Sequence, residues 1–173
     1  MESNFKLILR AIFLLFIILI FSISNITYAN NIKLDIARDA FLKGDYLEAI
    51  NISKEINNVD AKIFRARVLS IYAHFFKEDE EAKKIFYDAY KISKDAILQD
   101  KNNAEAYIEA AHALGRYGQK IGIISALSLG VADKVKNYLN IGLKLDDKNI
   151  IANISKGIWH AEIINKTGVT LAK

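Results

Sequence analysis

The sequence predicts an all-α protein in which antiparallel helix pairs stack around a continuous core. Three observations carry this. The chain has no Pro and only 8 Gly among its 173 residues, so the usual helix breakers are scarce. No alternating apolar and polar run of strand length occurs, whereas apolar residues recur at i, i+3, i+4 spacing between short polar turns. A turn-like segment, AILQDKNNAEA at 96–106, returns as GLKLDDKNIIA at 142–152, a separation of 46 residues.

The chain opens with MESNFKLILR, carrying Lys6 and Arg10, then AIFLLFIILIFSIS without a charge, then NITYAN with small residues Thr27 and Ala29. This is the three-part pattern of a secretory signal peptide, with cleavage expected after Ala29. The uncharged run is shorter than the roughly 20 residues of a membrane span. An uncleaved inner-membrane anchor facing the periplasm is the alternative. Residues 1–29 are thus assigned to the signal peptide and 30–173 to one domain.

Within that domain a first helix is expected from about Asn31 to Lys43, closed by Gly44, where a left-handed residue can end a helix. Asp45 and Glu48 have capping-box spacing for the next, to about Ile56, with Tyr46, Ala49, Ile50, Ser53 and Ile56 forming one stripe. Asp60 opens a third, to about Phe76, apolar around most of its circumference and so sandwiched between neighbours. Asp79 opens a fourth to about Leu98, and Asn103 caps a fifth to about Arg116. Two more run from about Ala132 to Lys144 and from about Asn149 to Asn165, after which Gly168 stops the chain of helices and VTLAK begins another.

The aligned segments share Asp100 with Asp146, Asn103 with Asn149 and Ala106 with Ala152. Both resemble the junction of tetratricopeptide repeats, where an ALELDPxNAxA-like turn leads from one pair into the next. GDYLEAINI, with Gly44, Tyr46 and Ala49, is similar to that family's Gly-x-Tyr-x-x-Ala turn within a pair, and Tyr107, Ala110 and Ala111 match its large, apolar and small first-helix positions. Lys101 and Asp147 depart from the family by standing where it favours Pro. The resemblance implies a right-handed solenoid over about residues 31–165. Its 46-residue spacing is about twelve longer than the ~34-residue repeat. The excess falls at about 118–131, on the uncharged stretch IGIISALSLGVA. At about 18 Å as a helix it cannot span a ~30 Å hydrocarbon core. It is expected to be an extra short helix bounded by Gly118 or Gly122 and by Gly130, with Ile123, Ile124, Leu127 and Val131 facing the core; a partner-binding flap and a membrane-surface contact are the alternatives.

The chemistry that might be present is sparse. Removing residues 1–29 leaves 22 bases against 19 acids, a net +3 with the signs interspersed, too weak a field to indicate nucleic acid. With no Cys there is no disulfide, thiol or lipoprotein chemistry, and a Gram-negative periplasm fits. Neither HExxH nor a phosphate-loop pattern occurs, and GRYGQKIG lacks the required glycine spacing. Glu109 and His112 share a helix face at i, i+3, and His160 lies one repeat on beside Glu162, but one Glu-x-x-His pair is too few for a di-iron bundle. No metal site, cofactor or catalytic residue is therefore expected. A small helical metal- or ligand-binding protein or enzyme using His112, His160 and nearby carboxylates is the alternative.

What the resemblance implies is a non-enzymatic scaffold, presenting first helices along a groove that holds a protein or peptide, and export would place it in an envelope assembly or beside a transport system. Carried over by position, the groove residues are Glu105, Ile108, His112, Gly115 and Arg116 in the fifth helix. In the last they are Ile151, Ile154, Ile158, Ala161 and Glu162. Trp159 is expected in the core and His74 at a rim.

Overall fold

The computed structural model describes residues 2–167, in the order α1 (Glu2–Leu42), α2 (Tyr46–Lys54), α3 (Val59–Phe76), α4 (Asp79–Gln99), α5 (Ala104–Ile121), α6 (Ile123–Ser128), α7 (Val131–Leu145) and α8 (Ile150–Thr167). Among the described residues there is no strand. The expected stop at Gly168 and the helix start at VTLAK lie outside them.

Three polar caps define the repeat. The side-chain oxygen of Asn58 accepts from the N–H of Ala61 at 2.8 Å, Asn103 from Ala106 at 3.2 Å, and Asn149 from Ala152 at 3.0 Å. All three alanines are 0% exposed, because each is the small residue where a first helix meets its neighbours. The preceding turns also match: Asp100 donates its N–H to the Ala96 carbonyl at 2.9 Å, and Asp146 to the Gly142 carbonyl at 2.9 Å. The match at 46 residues is therefore a structural repeat, and Asn58 extends it one unit back.

At the other end of a pair, Gly44 has φ +87° and closes α1 with two bonds, Gly44 N–H to Phe41 O at 3.1 Å and Asp45 N–H to Ala40 O at 2.9 Å. That pair of bonds is a Schellman closure. It also corrects the expected capping box, for the Asp45 N–H that Glu48 would need is already held by Ala40, and Asp45 makes no side-chain cap. Two other boundaries move. Asn58, not Asp60, caps α3, and α5 continues past Arg116 to Ile121 because α7 packs along it.

The helix expected from Asn31 is continuous from Glu2, there being neither Gly nor Pro before Gly44 to break it. Its buried residues among those described are Leu34, Ala37 and Ala40, which join Ala49, Ile56, Phe64 and Val68 in one cluster. Upstream, the described apolar side chains between Ile12 and Ile20 are each 46–66% exposed. Among the described residues no helix is long and apolar enough to cross a membrane.

The helices form two layers. α3 packs on α2, α4 and α5, as its all-round apolar surface requires, although Phe75 and Phe76 at its end remain exposed. First helices touch one another directly, α3 against α5 and α5 against α8. The second helices α4 and α7 meet through the tips of Tyr90 and Tyr138, whose hydroxyls are 3.1 Å apart. The layer in direct contact is the shorter one, so the stack curves with α3, α5 and α8 on its concave side. α7 comes close to α5 where Gly142 faces Ile108 and where Gly118 faces Val131.

Candidate functional site: the concave face

The three asparagine caps put α3, α5 and α8 in register, and two side-chain networks hold that register. Counting from the residue after each cap, Arg67, His112 and Ile158 occupy equivalent ninth places, and Ile71, Arg116 and Glu162 thirteenth places. Arg67 reaches from α3 to α5, donating from Nε to Glu109 at 2.7 Å and from a terminal nitrogen to Glu105 at 3.1 Å. Burial opposes the charge on Arg67, but Glu109 and Glu105 outweigh it and hold the guanidinium above its ordinary pKa. Glu109 is 3% exposed, and its other oxygen lies 4.0 Å from Nδ1 of His112. Nε2 of His112 lies 2.6 Å from the Ser155 hydroxyl, tying α5 to α8.

A serine, a histidine and a glutamate in line invite comparison with a catalytic triad, and the proton directions argue against it. Ser155 donates its hydroxyl hydrogen to the Ile151 carbonyl at 2.7 Å, so His112 Nε2 is the donor to Ser155 rather than its base. Ser155 also sits inside a helix, where neighbouring N–H groups are spent on helical bonds and none is free to stabilise an oxyanion. Burial foremost keeps His112 below its usual pKa, which suits a neutral, structural imidazole.

The remaining expected residues divide. Glu105 is at the surface and bound to Arg67. Ile108 is 2% exposed and packs where α7 crosses at Gly142, so it belongs to the core and cannot line a groove. His112 is partly covered; Arg116 is exposed, with one long contact to Gln119 at 3.4 Å. Ile154 and Ile158 are each 56% exposed, Ile151 is 55% exposed, and Glu162 is half-buried. His112 and His160 are not brought together. His160 lies five residues, about 140°, around α8 from Ser155, and stacks edge-on against Trp159 instead. Among the described residues no group of three or more His, Asp or Glu could hold a metal ion.

Arg67, Glu109 and Ser155 escaped the positional reading as a connected row. The signal was available: an Asn-x-x-Ala match at Asn58 puts Arg67 in the same place as His112. Trp159 packs into the α5–α7 cluster and donates its indole N–H to the Ala132 carbonyl at 3.1 Å. His74 is exposed beside Phe75; desolvation, with Arg116 and Lys120 nearby, lowers its pKa.

The extra segment departs most from expectation. α6 is a six-residue helix between Gly122 (φ +81°) and Gly130 (φ +61°), with none of its residues buried. Ile123, Ile124 and Leu127 are 46%, 82% and 58% exposed; of the four side chains expected to face the core, Val131 alone does, at 6%. The core-facing reading is corrected for the other three, because Gly130 turns the backbone and places Val131 in α7, while α6 touches the core through Ala126.

Two solved structures share this architecture. The first tetratricopeptide domain of Spaghetti (RPAP3), bound to an HSP90 peptide SRMEEVD, superposes with a TM-score of 0.57 at 16% identity, over 78% of this chain and 92% of that one. The second such domain of human RPAP3, in complex with an HSP70 peptide SGPTIEEVD, gives 0.54 at 18% identity, over 75% of this chain and 97% of that one. The fold is thus that of a tetratricopeptide-like solenoid. No curated protein matches the sequence. The family described as regulator of microtubule dynamics protein 1-3 matches residues 33–169, which is most of the chain and nearly all of the solenoid, so the protein belongs to that family.

Proposed function

We propose that the protein is a non-enzymatic scaffold that holds a peptide or a segment of a protein partner against the concave face of α3, α5 and α8. The observation that carries the reading is the exposure of Arg116, Ile151 and Ile158 along helices held in register by the Arg67 and His112 bonds. A rigid concave face with unsatisfied apolar and cationic groups is what a peptide groove requires. Support comes also from the two neighbours of like fold, each solved with a peptide. The family description names microtubule dynamics, and gripping a partner segment would serve on a filament as on any other assembly.

We extend the proposal to location: the chain is exported, cut near Ala29 and works in the periplasm, in an envelope assembly or beside a transport system. The N-terminal charge and apolar pattern supports it, as does the family match beginning at residue 33 and, among the described residues, the first buried side chain at Leu34, both beyond the expected cut. Mass analysis of the protein recovered from periplasm should show an N-terminus at Asn30. Intact Met1 in the cytoplasmic fraction would refute export. For the scaffold, affinity capture with cross-linking from the envelope fraction should recover a partner with the wild type and lose it with Ile151→Asp/Ile158→Asp. A monomer that captures nothing, or equal capture by both, overturns the groove.

A further inference from the structure

We infer that α8 pairs with the α8 of a second copy of this chain, antiparallel across a twofold axis beside Gly157, each helix covering a face that the other leaves bare. The contact is separate from the concave groove.

The repeat shows what that face is built for. Counting from the residue after each asparagine cap, the fifth place is Ile63 in α3, Ile108 in α5 and Ile154 in α8. The eighth is Ala66, Ala111 and Gly157, and the fifteenth is Ala73, Gly118 and Ile164. In the first two pairs an antiparallel second helix covers these places. Ile63 shares a cluster with Ala96 of α4, Ala66 with Ala89, and Ala73 with Ala82 and Phe86. Gly142 of α7 faces Ile108, and Val131 faces Gly118. Among the described residues no helix follows α8. Ile154 is accordingly 56% exposed where Ile63 and Ile108 are 4% and 2% exposed. Gly157, Ala161 and Ile164 lie exposed along the same stripe, and a methyl group at Gly157 would meet nothing within 4 Å.

The stripe fits a copy of itself. In both covered pairs the fifth-place isoleucine packs with a small residue of the second helix, Ala96 or Gly142. An antiparallel α8 reproduces that contact. Ile154 stands three residues before Gly157 and Ala161 four after it, so with the axis beside Gly157 the isoleucine of one helix lies level with the alanine of the other. The twofold axis repeats this large-on-small contact on its other side, as a self-complementary interface requires. Charge agrees with self-pairing. The exposed residues of α8 from Ile150 to Asn165 include no Asp, Glu, Lys or Arg, so no like charges meet across the axis, and a helix of another protein would find no ion pair to select it. Ile151 and Ile158 lie about 80 to 100° around the helix from the middle of the stripe and stay with the concave face.

The chain has no cysteine, so introduced ones report this contact alone. With helix axes about 8 to 10 Å apart, facing Cα atoms at the axis are separated by about 3.5 to 5.5 Å, which a disulfide spans. Under mild oxidation the purified full-length Gly157→Cys protein should therefore link to itself. Ile154→Cys should not, because its two copies stand about 10 Å apart along the helices, but it should link to Ala161→Cys when the two proteins are mixed. Sedimentation velocity at micromolar concentration should give a dimer for wild type and a monomer for Gly157→Arg. Since position 157 opens on free space within one chain, circular dichroism should show the helices of that variant intact. Gly157→Ala should stay dimeric, as Ala66 and Ala111 lie beneath neighbouring helices at the same place. Self-linking of Ile154→Cys as strong as that of Gly157→Cys would mean a parallel or random encounter and overturns the inference. A wild type that is monomeric overturns it too, leaving the face to a different partner. So does a dimer that survives Gly157→Arg, which would place association elsewhere on the chain.

Discussion

Arg67 and Glu109 form one ion pair whose two halves are unequally sealed, and their removal should be correspondingly unequal. The Arg67 side chain is 43% exposed and that of Glu109 is 4% exposed. In Arg67→Met the carboxylate stays in the α3–α5 seam without its guanidinium, and His112 Nδ1, 4.0 Å away and without a hydrogen in the neutral ring, cannot replace it. Stranding a buried charge costs about 3 to 5 kcal/mol. The lower figure applies here because the half-exposed Arg67 site lets water reach the carboxylate once the guanidinium is gone, so the expected loss is about 3 kcal/mol. In Glu109→Gln, by contrast, Arg67 keeps Glu105 at 3.1 Å and nearly half its surface in water. The amide oxygen can still accept from Arg67 Nε, so only the charge assistance is lost, about 1 kcal/mol. For a domain of this size these correspond to drops in Tm of about 6 to 12 °C and about 2 to 4 °C. Urea unfolding at neutral pH measures both, and Arg67→Met/Glu109→Leu, with no charge left to strand, should return to within about 1 kcal/mol of wild type. Equal losses in the two single variants, or a double variant worse than Arg67→Met, would refute the argument from burial.

A methyl group added at Gly118 would stand 2.7 Å from a Val131 methyl, whereas one at Gly157, in α8, would meet nothing within 4 Å. Gly118→Ala should therefore destabilise by about 1 to 3 kcal/mol and Gly157→Ala stabilise by up to about 1 kcal/mol, and thermal melts that rank them otherwise contradict the packing. Alanine at Asn58, Asn103 or Asn149 should cost about 1 kcal/mol each in chemical denaturation; no loss at any of the three would mean the caps do not define the repeat. Burial holds His112 below its ordinary 6.5, so below pH 6.5 the unfolded chain takes up a proton that the folded chain resists. Stability is fully present above that pH and falls as pH drops toward the folded value. Urea midpoints at about pH 7.5 and about pH 5.5 should differ more in wild type than in His112→Gln, and equal differences would refute the burial of the imidazole. Ile124→Asp in α6 should change stability by less than about 0.5 kcal/mol, since its side chain is 82% exposed.

Much of the fold was legible because the features that set it are local. Gly44 and the Asn-x-x-Ala turns each act within six residues, and a helix pair follows from them whatever lies elsewhere. Where the reading of boundaries failed, the missing information was a competing partner. Asp45 and Glu48 have the right spacing for a capping box, but the Asp45 N–H belongs to the closure of the previous helix. Asp60 is a good first-turn acid, yet Asn58 two residues earlier takes the capping role. Nor could spacing show that Ile108 is core: position alone assigns it to the groove, and only the passage of α7 at Gly142 covers it.

The concave row and α6 were harder for a different reason, which is that helical counting holds only within an unbroken helix. Arg67 and Glu109 are separated by 42 residues, and no period within one helix connects them. The stripe expected from Ile123 to Val131 fails in the opposite way, because it counts 100° per residue across Gly130, whose φ of +61° turns the chain. Once Val131 is assigned to α7, the other three lose the anchor that oriented them, and with Ala126 facing inward they point away from the core. The same glycines make the insert dispensable to the repeat, since α5 and α7 pack directly on each other without it. An insert that the core does not need, and that holds Ile124 and Leu127 in water, costs solubility without stabilising the fold.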